Sequence, residues 1–121
     1  MARTAIPITD LPANAGTAPV AGTAVDPTNG HVVAAGSVTR RLLLHLKNTA
    51  VAAKTFTIKA GVNPPAFRAE LGDLVVSVPA NTGERFVIIE SARFVQANGD
   101  IWIDVEAAAT GNEAAYRLGK V

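Results

Sequence analysis

The sequence predicts an all-β fold, and three observations support this prediction. Apolar and polar residues alternate along several short segments, which is the period of a half-buried strand. Glycine, proline, asparagine and aspartate lie between these segments, where turns are expected. The segments follow one another closely, and no apolar pattern of helical spacing extends beyond one turn. We therefore expect an antiparallel β-sandwich or jelly roll of about seven to eight strands with an extended N-terminal arm.

The composition limits the classes of partner. The 121 residues suit one domain with one core. Eleven basic and ten acidic residues leave a formal net charge of +1, which gives no reason to expect nucleic acid or an anionic membrane as a partner. The chain has no cysteine, no secretion signal and no uncharged apolar run of about 18 residues. We expect a protein of an aqueous compartment, without disulfides or thiolate metal sites.

Residues 1–38 are predicted to form an extended arm and loops, and residues 39–121 the β-sandwich domain. Four prolines interrupt the first segment, at positions 7, 12, 19 and 27. Ile6 and Ile8 still alternate, so the arm as far as Leu11 is able to add as an edge strand to a sheet of its own chain or of a neighbouring subunit. For a free monomer, a mobile terminus rich in alanine and glycine is an equally good alternative.

The middle of the chain gives the clearest strands. In the segment 40–48, Leu42, Leu44 and Leu46 share one face, as alternate residues of a strand do. In the segment 54–60, Phe56 and Ile58 are predicted to point inward, and the β-branched content supports a strand. Weaker strands are predicted at residues 22–25 and 31–34.

A long loop is predicted at residues 61–73. Two consecutive prolines force an extended start, the segment 67–71 is able to close into one helical turn, and Gly72 is able to end that turn. Long ordered loops on a rigid scaffold often carry contact surfaces. The candidate interface residues in this loop are Pro64, Pro65, Phe67 and Arg68.

The stretch 84–105 organises the rest of the predicted fold. Phe86 and Ile88 are assigned to the core face of one strand, and a second short strand is predicted to open at Phe94. A tight turn at residues 98–100 leads to a third strand. The inward residues of that strand are Ile101, Ile103 and Val105. Strands at 74–78 and 113–118 flank the stretch, and a hairpin is expected through residues 81–83.

The sequence shows no pattern for catalysis or for binding a metal or cofactor. His31 and His45 are the only histidines, and neither has a second ligand at metal-binding spacing. The serines lack the glycine-flanked context of a nucleophile elbow. Asp104 and Glu106 on one strand face are more typical of a solvated surface than of a glycosidase pair. We therefore expect a protein that is not an enzyme and that has no catalytic, cofactor-binding or metal-binding residues.

Trp102 stands out because alternation places it opposite the inward residues Ile101 and Ile103. The simplest explanation is burial under a loop or under the N-terminal arm. A functional alternative is a protein interface, where tryptophan is over-represented among the residues that contribute most binding energy. A second alternative is a sugar-stacking platform built on Trp102 or Tyr116. Stacking platforms usually use several aromatic residues, so the sequence favours the interface.

Four segments of the chain resemble small structural proteins of tailed bacteriophages. They are MARTAIPITDLP, RLLLHLKNTAVAAKTFTIKAG, NPPAFRAELGDLVVSVPANTGERFVI and ESARFVQANGDIWIDVEA. Proteins of that group have a MARTAL-x-V-TDL-like start, an N-T-x-A-A-x-x-x-T-I strand pair and an ESARF-x-Q-A-x-G-x-x-x-V-D hairpin. The resemblance covers most of the chain and is weakest over residues 13–37. It carries no catalytic residue.

The resemblance implies a β-sandwich virion component, and the role it best implies is a decoration protein on the exterior of the capsid. Such a protein is assembled in the host cytoplasm, binds the major capsid protein and forms a homo-oligomer, expected here to be a trimer. Its arm or loop ends are expected to clamp adjoining capsid subunits. The alternatives are a minor tail or head–tail connector protein, and a carbohydrate-binding module on the virion. The candidate interface residues are Ile6, Ile8, Leu11, Pro64, Pro65, Phe67, Arg68 and Trp102.

Overall fold

Ten β-strands and two single helical turns make up the regular structure of the described residues. The computed structural model describes residues 2–34, 42–62, 66, 68–89 and 91–118. The strands are β1 (Thr4–Ala5), β2 (Ile8–Leu11), β3 (Thr23–Ala24), β4 (His31–Val33), β5 (Leu42–Asn48), β6 (Lys54–Ile58), β7 (Leu74–Val78), β8 (Gly83–Ile88), β9 (Ile101–Val105) and β10 (Gly111–Leu118). A 3-10 turn covers Ala69–Leu71, and one α-helical turn, α1, covers Ser91–Phe94. No helix within the described residues is long and apolar enough to cross a membrane.

The strands form two five-stranded sheets. Sheet A has the order β1-β4-β9-β6-β7, and sheet B contains β2-β10-β5-β8 in order, with β3 also paired to β10. The pairs β1–β4 and β2–β10 are parallel, and the other pairs are antiparallel, so both sheets are mixed. The all-β prediction is therefore confirmed, but the prediction of a purely antiparallel arrangement is wrong. Both parallel pairs are made by the first two strands.

Residues 2–34 contribute to both sheets. β1 forms one edge of sheet A, and β2 forms one edge of sheet B. Between them the chain passes through Ile6, whose side chain is 2% exposed and belongs to the core. The backbone N–H of Ile6 donates to the carbonyl oxygen of Val32 at 2.9 Å. The N-terminal segment was expected to add to a sheet of its own chain or of a neighbouring subunit, and in the structure it adds to the chain's own sheets. Four strands therefore lie before residue 38, where the predicted domain boundary was placed.

The core is built from alternate residues of strands in both sheets. In β5, Leu42, Leu44 and Leu46 are fully buried, and the residues between them are half buried. β6 contributes Phe56 and Ile58 to the same cluster. β9 contributes Ile101, Ile103 and Val105. The predicted core faces of these three strands are confirmed, because each strand has apolar residues at one parity and mostly polar residues at the other.

The connection between β7 and β8 is not the predicted hairpin. β7 pairs with β6 in sheet A, whereas β8 pairs with β5 in sheet B, so the chain changes sheet between them. Asn81 and Thr82 have positive φ angles of 57° and 67° in this connection. The side chain of Asn48 secures the crossing by donating to the carbonyl oxygens of Val78 and Pro79 at 3.0 and 3.1 Å. A turn signal shows where a chain reverses, but not which strand it then pairs with.

The prediction of a short strand opening at Phe94 is also wrong. Phe94 ends α1 and is buried, and only Val95 makes an isolated bridge, to Ile101. The following tight turn is confirmed: Gly99 has a φ of 91°, and its N–H donates to the carbonyl oxygen of Gln96 at 2.9 Å. A segment this short has too few residues for alternation to distinguish a strand from one helical turn.

The core face assigned to β8 is reversed in the structure. Phe86 is 65% exposed and Ile88 is 61% exposed, whereas Val87 packs against the core and Ile89 is buried. Residues 86–89 are all apolar, so the alternation rule gives no unique inward face here. This reversal leaves two large apolar side chains on the outside of sheet B.

Candidate interaction surface

Sheet B ends at β8, which is paired on one side only within the described part of the chain. The backbone N–H of Ile89 donates to the carbonyl oxygen of Leu42 at 2.9 Å, which sets the phase of the antiparallel ladder. In that phase, Glu84, Phe86 and Ile88 direct their backbone N–H and C=O groups away from β5. β8 is therefore an edge strand with the hydrogen-bonding groups needed to pair with a strand of another chain.

An apolar row crosses the outer face of sheet B. Ile88 of β8 lies opposite Leu43 of β5, and Leu43 lies opposite Tyr116 of β10. Phe86 lies two residues before Ile88 on the same face. Together with Leu11 of β2, these four residues define the sheet B surface, in which Phe86 and Ile88 are exposed and Tyr116 is buried beneath the N-terminal segment.

A groove of about 180 Å³ indents the sheet B surface. The N-terminal segment forms one wall, and it is held in place because the backbone N–H of Val20 donates to the hydroxyl oxygen of Tyr116 at 2.9 Å. The groove is lined by Leu11, Thr17, Pro19, Leu43, His45, Phe86 and Tyr116. The lining is mostly apolar, so the groove suits an apolar side chain of a partner better than a charged ligand.

The ring of Phe86 is held in one orientation by its neighbours. It stacks on the imidazole of His45, with ring centroids 4.4 Å apart and planes inclined by 16°. His45 is fixed in turn by Glu84, because its Nε2 lies 2.6 Å from Oε1 of that carboxylate. An exposed aromatic side chain that is already ordered loses less conformational entropy when a partner covers it.

The outer face of sheet A carries charged groups, with Val75 as an exposed apolar residue on its last strand, β7. On this face Nζ of Lys59 lies 2.8 Å from Oδ2 of Asp73, and at the beginning of β6 Nζ of Lys54 lies 3.6 Å from Oε2 of Glu106. The backbone N–H of Ala60 and the Lys59 ammonium lower the pKa of Asp73. The hydrogen bond with Asp73 raises the pKa of Lys59, so both groups stay ionised near neutral pH. Such a face is well solvated, whereas the sheet B surface exposes apolar area that a partner would cover.

Trp102 lies on the charged side of the molecule and is half buried. The guanidinium of Arg3 sits 4.7 Å from the centroid of the indole, and Nη1 of Arg3 is 2.6 Å from Oδ1 of Asp104. Arg3 therefore covers part of the ring through a cation–π contact. Of the alternatives considered for Trp102, partial burial under the N-terminal segment is the one observed.

The structure separates the predicted interface residues. Ile6 is buried in the core, Ile8 is half buried and packs against the core, and Leu11 lines the groove. Arg68 is exposed immediately before the 3-10 turn, and Trp102 is in sheet A. Pro64, Pro65 and Phe67 lie outside the described residues. Among the predicted residues that the structure describes, Leu11 is the one that joins the sheet B surface.

Sequence reasoning missed two features. Phe86 and Ile88 were assigned to the core, for the reason given above. The second feature is a pair of fully buried side chains, His31 and Glu113, with Nε2 of the imidazole 2.9 Å from Oε2 of the carboxyl group. The two residues meet because β4 of sheet A packs against β10 of sheet B, and a single sequence gives no local signal for that packing.

Comparison with known proteins found no relative: no family model, curated protein or solved structure matches the chain. Within the residues that the structure describes, no three acidic or histidine side chains are grouped as metal ligands.

Proposed function

We propose that this chain is a structural protein that decorates the outside of a bacteriophage capsid and stabilises it by binding the major capsid protein. The observation that carries the proposal is the sheet B surface, where Phe86 and Ile88 are exposed on the last strand of the sheet. Exposed apolar residues on an edge strand favour association with another polypeptide. The resemblance to phage structural proteins suggests which polypeptide that is.

The two sheets are proposed to form a β-sandwich. The core cluster contains side chains from β5 of sheet B and from β6 and β9 of sheet A, which is the arrangement expected of two sheets packed face to face. Such a body presents its outer faces rigidly. This rigidity suits a protein that acts by binding and bracing rather than by transforming a substrate.

The proposed capsid contact has two components. A strand of the major capsid protein pairs along β8, and apolar side chains of that strand contact Phe86 and Ile88. The chain is proposed to act as a trimer around an axis of the capsid lattice, so that several weak contacts hold each oligomer at once. The proposed location is the virion exterior, after assembly in the host cytoplasm.

Co-sedimentation with emptied, expanded shells of the parent phage tests this proposal. The wild type is compared with the double variant Phe86→Ser/Ile88→Ser and with Val51→Ser. Val51 is a matched control, because it is an aliphatic residue that is 89% exposed and lies outside the sheet B surface. We expect the wild type and Val51→Ser to bind alike, and the double variant to lose at least about tenfold in affinity.

Two different failures are distinguishable in this experiment. Wild-type protein that does not bind the shells would overturn the capsid role. A double variant that folds and binds as tightly as the wild type would leave the capsid role standing and overturn the assignment of the sheet B surface.

The alternatives predict other results. A carbohydrate-binding module depends on Trp102 alone, because Tyr116 is 4% exposed and its hydroxyl is occupied by Val20. Binding on a glycan array that disappears in Trp102→Ala would favour this alternative. A minor tail or connector protein would bind in a few copies at a single vertex and not over the shell.

A further inference from the structure

A buried pair of titratable side chains joins the two sheets. His31 belongs to β4 of sheet A and Glu113 to β10 of sheet B, and both side chains are fully buried. Neither oxygen of Glu113 has a hydrogen-bond donor among the described residues. The residue opposite Glu113 on β5 is the apolar Leu46, and the titratable groups of β5, His45 and Lys47, lie on the other face. A buried carboxyl group in this position is costly unless it is neutral or paired.

The contacts of His31 assign its protons. Nδ1 lies 3.2 Å from the carbonyl oxygen of Thr4 in β1, and a carbonyl oxygen only accepts, so Nδ1 carries a proton. The backbone N–H of Asp26 donates to Nε2 at 2.9 Å, so Nε2 presents a lone pair. The imidazole is therefore neutral, with its single proton facing β1.

This tautomer determines which form of Glu113 fits. Nε2 of His31 lies 2.9 Å from Oε2 of the carboxyl group, so an ionised carboxylate would face a nitrogen lone pair in a site closed to water. A neutral carboxyl group removes the repulsion, because its O–H shares the Nε2 lone pair with the backbone N–H of Asp26. Burial raises the pKa of Glu113 and outweighs the opposing effect of the nearby His31, which favours the neutral form.

We propose that His31 and Glu113 form a proton-dependent latch that holds β1 on the folded body. The latch closes when the pair holds two protons, one on Nδ1 and one between Oε2 and Nε2. When Glu113 gives up its proton to solvent, one proton remains for two contacts. If the remaining proton stays on Nδ1, the buried carboxylate of Glu113 has no partner. If the proton moves to Nε2, the lone pair left on Nδ1 faces the carbonyl oxygen of Thr4. Proton loss is therefore coupled to release of β1.

The other charged groups that face the latch are already paired. Arg3, just before β1, forms an ion pair with Asp104 of β9 at 2.6 Å. Asp26, in the turn before β4, accepts from the hydroxyl of Thr4 at 2.6 Å, and this bond and those from Asn29 lower its pKa to about 2. Asp26 is therefore ionised in both states of the latch, and the proton that varies with pH belongs to the buried pair.

Amide hydrogen exchange of the purified full-length protein tests the latch without any capsid. The amides of Thr4 and Ile6 donate to the carbonyl oxygens of Gly30 and Val32, so their protection factors report on β1. The protection factors are measured between about pH 5 and about pH 9. Above the pKa of Glu113, we expect them to fall by up to about tenfold for each pH unit. They should stay below the factor of Leu44 in β5 at every pH, because β1 opens without global unfolding.

Two variants separate the latch from a general effect of pH. Glu113→Gln keeps a neutral donor, so its protection factors at Thr4 and Ile6 should not change with pH. Glu106→Gln changes an exposed carboxylate and should behave like the wild type. The proposal is overturned if wild-type protection is independent of pH, if Glu113→Gln follows the wild type, or if Thr4 and Ile6 exchange only together with Leu44.

If Glu113→Gln does not fold, an infrared spectrum of the wild type tests whether the latch is protonated at neutral pH. The latch requires the carbonyl band of a protonated carboxylic acid at neutral pH and the loss of that band at alkaline pH. Absence of the band at neutral pH would overturn the proposal. Neither experiment depends on the proposed capsid role.

Discussion

At the scale of single residues, Asn48 shows how one buried side chain joins the two sheets. Its Nδ2 donates to the carbonyl oxygens of Ala52, Val78 and Pro79, and its Oδ1 accepts from the N–H of Ala50, at distances between 2.9 and 3.1 Å. Asn48→Ala removes every one of these contacts, and the one to the carbonyl oxygen of Val78 is buried. We expect a loss of about 3 kcal/mol in the free energy of unfolding, measured with urea.

Asn48→Asp is the matched variant, because it keeps the shape and removes the N–H donors. An ionised aspartate would face three carbonyl oxygens, so the loss should be at least as large as in Asn48→Ala at neutral pH and smaller in acid. A loss below about 1 kcal/mol in both variants would show that these contacts do not secure the crossing between the sheets.

Glu113 gives the whole fold a pH dependence. Burial raises its pKa in the folded state. Its contribution to stability is therefore fully present below the unfolded pKa of about 4.3 and is lost as the pH rises through the folded pKa. Above about pH 5 the free energy of unfolding of the wild type should fall as the pH rises, and the fall should be absent in Glu113→Gln. Chemical denaturation at several pH values checks this, and equal slopes for the two proteins would contradict it.

At the scale of elements, the first two strands are part of the fold and not an appendage. Ile6 is 2% exposed between β1 and β2, so Ile6→Ala should lower the free energy of unfolding by about 3 kcal/mol. Val20→Ala is the control, because Val20 is 41% exposed and its substitution should change stability by less than about 0.5 kcal/mol. Equal losses of unfolding free energy in Ile6→Ala and Val20→Ala would mean that the N-terminal strands contribute little to stability. Deletion of residues 2–12 would remove Ile6 from the core and so would not test capsid binding cleanly.

The strands that the sequence predicts best are those with apolar residues at every second position and polar residues at most of the positions between. β5, β6 and β9 were assigned the right core faces because mostly polar residues occupy the opposite positions. β8 was assigned the wrong face because residues 86–89 are apolar at both parities. The crossing at Asn81 and Thr82 was mistaken for a hairpin because local turn chemistry does not select a partner strand. Pairing between distant strands, such as β2 with β10, has no local signal in a single sequence.

At the scale of the whole molecule, the candidate surface follows from topology. Phe86 and Ile88 are exposed because β8 is the last strand of sheet B and because its other face meets the core. Neither fact can be read from residues 83–88 alone. Leu11 was identified because it lies in a segment already suspected of making contacts, whereas Trp102 is covered by Arg3 on the opposite sheet. The predicted interface residues therefore lie mostly outside the sheet B surface that we propose as the contact.

The two outer faces suggest how the molecule is oriented on a particle. The ion pair of Lys59 with Asp73 on the outer face of sheet A suits a face that stays in water. The sheet B surface suits a face that becomes covered. A decorated shell should therefore carry sheet A outward and β8 inward.

The most direct measurement is a cryo-electron microscopy reconstruction of expanded shells incubated with the purified protein. We predict trimeric density repeated over the lattice, with β8 and the side chains of Phe86 and Ile88 against the major capsid protein. Shells without added density, or density confined to one vertex, would contradict the capsid decoration role.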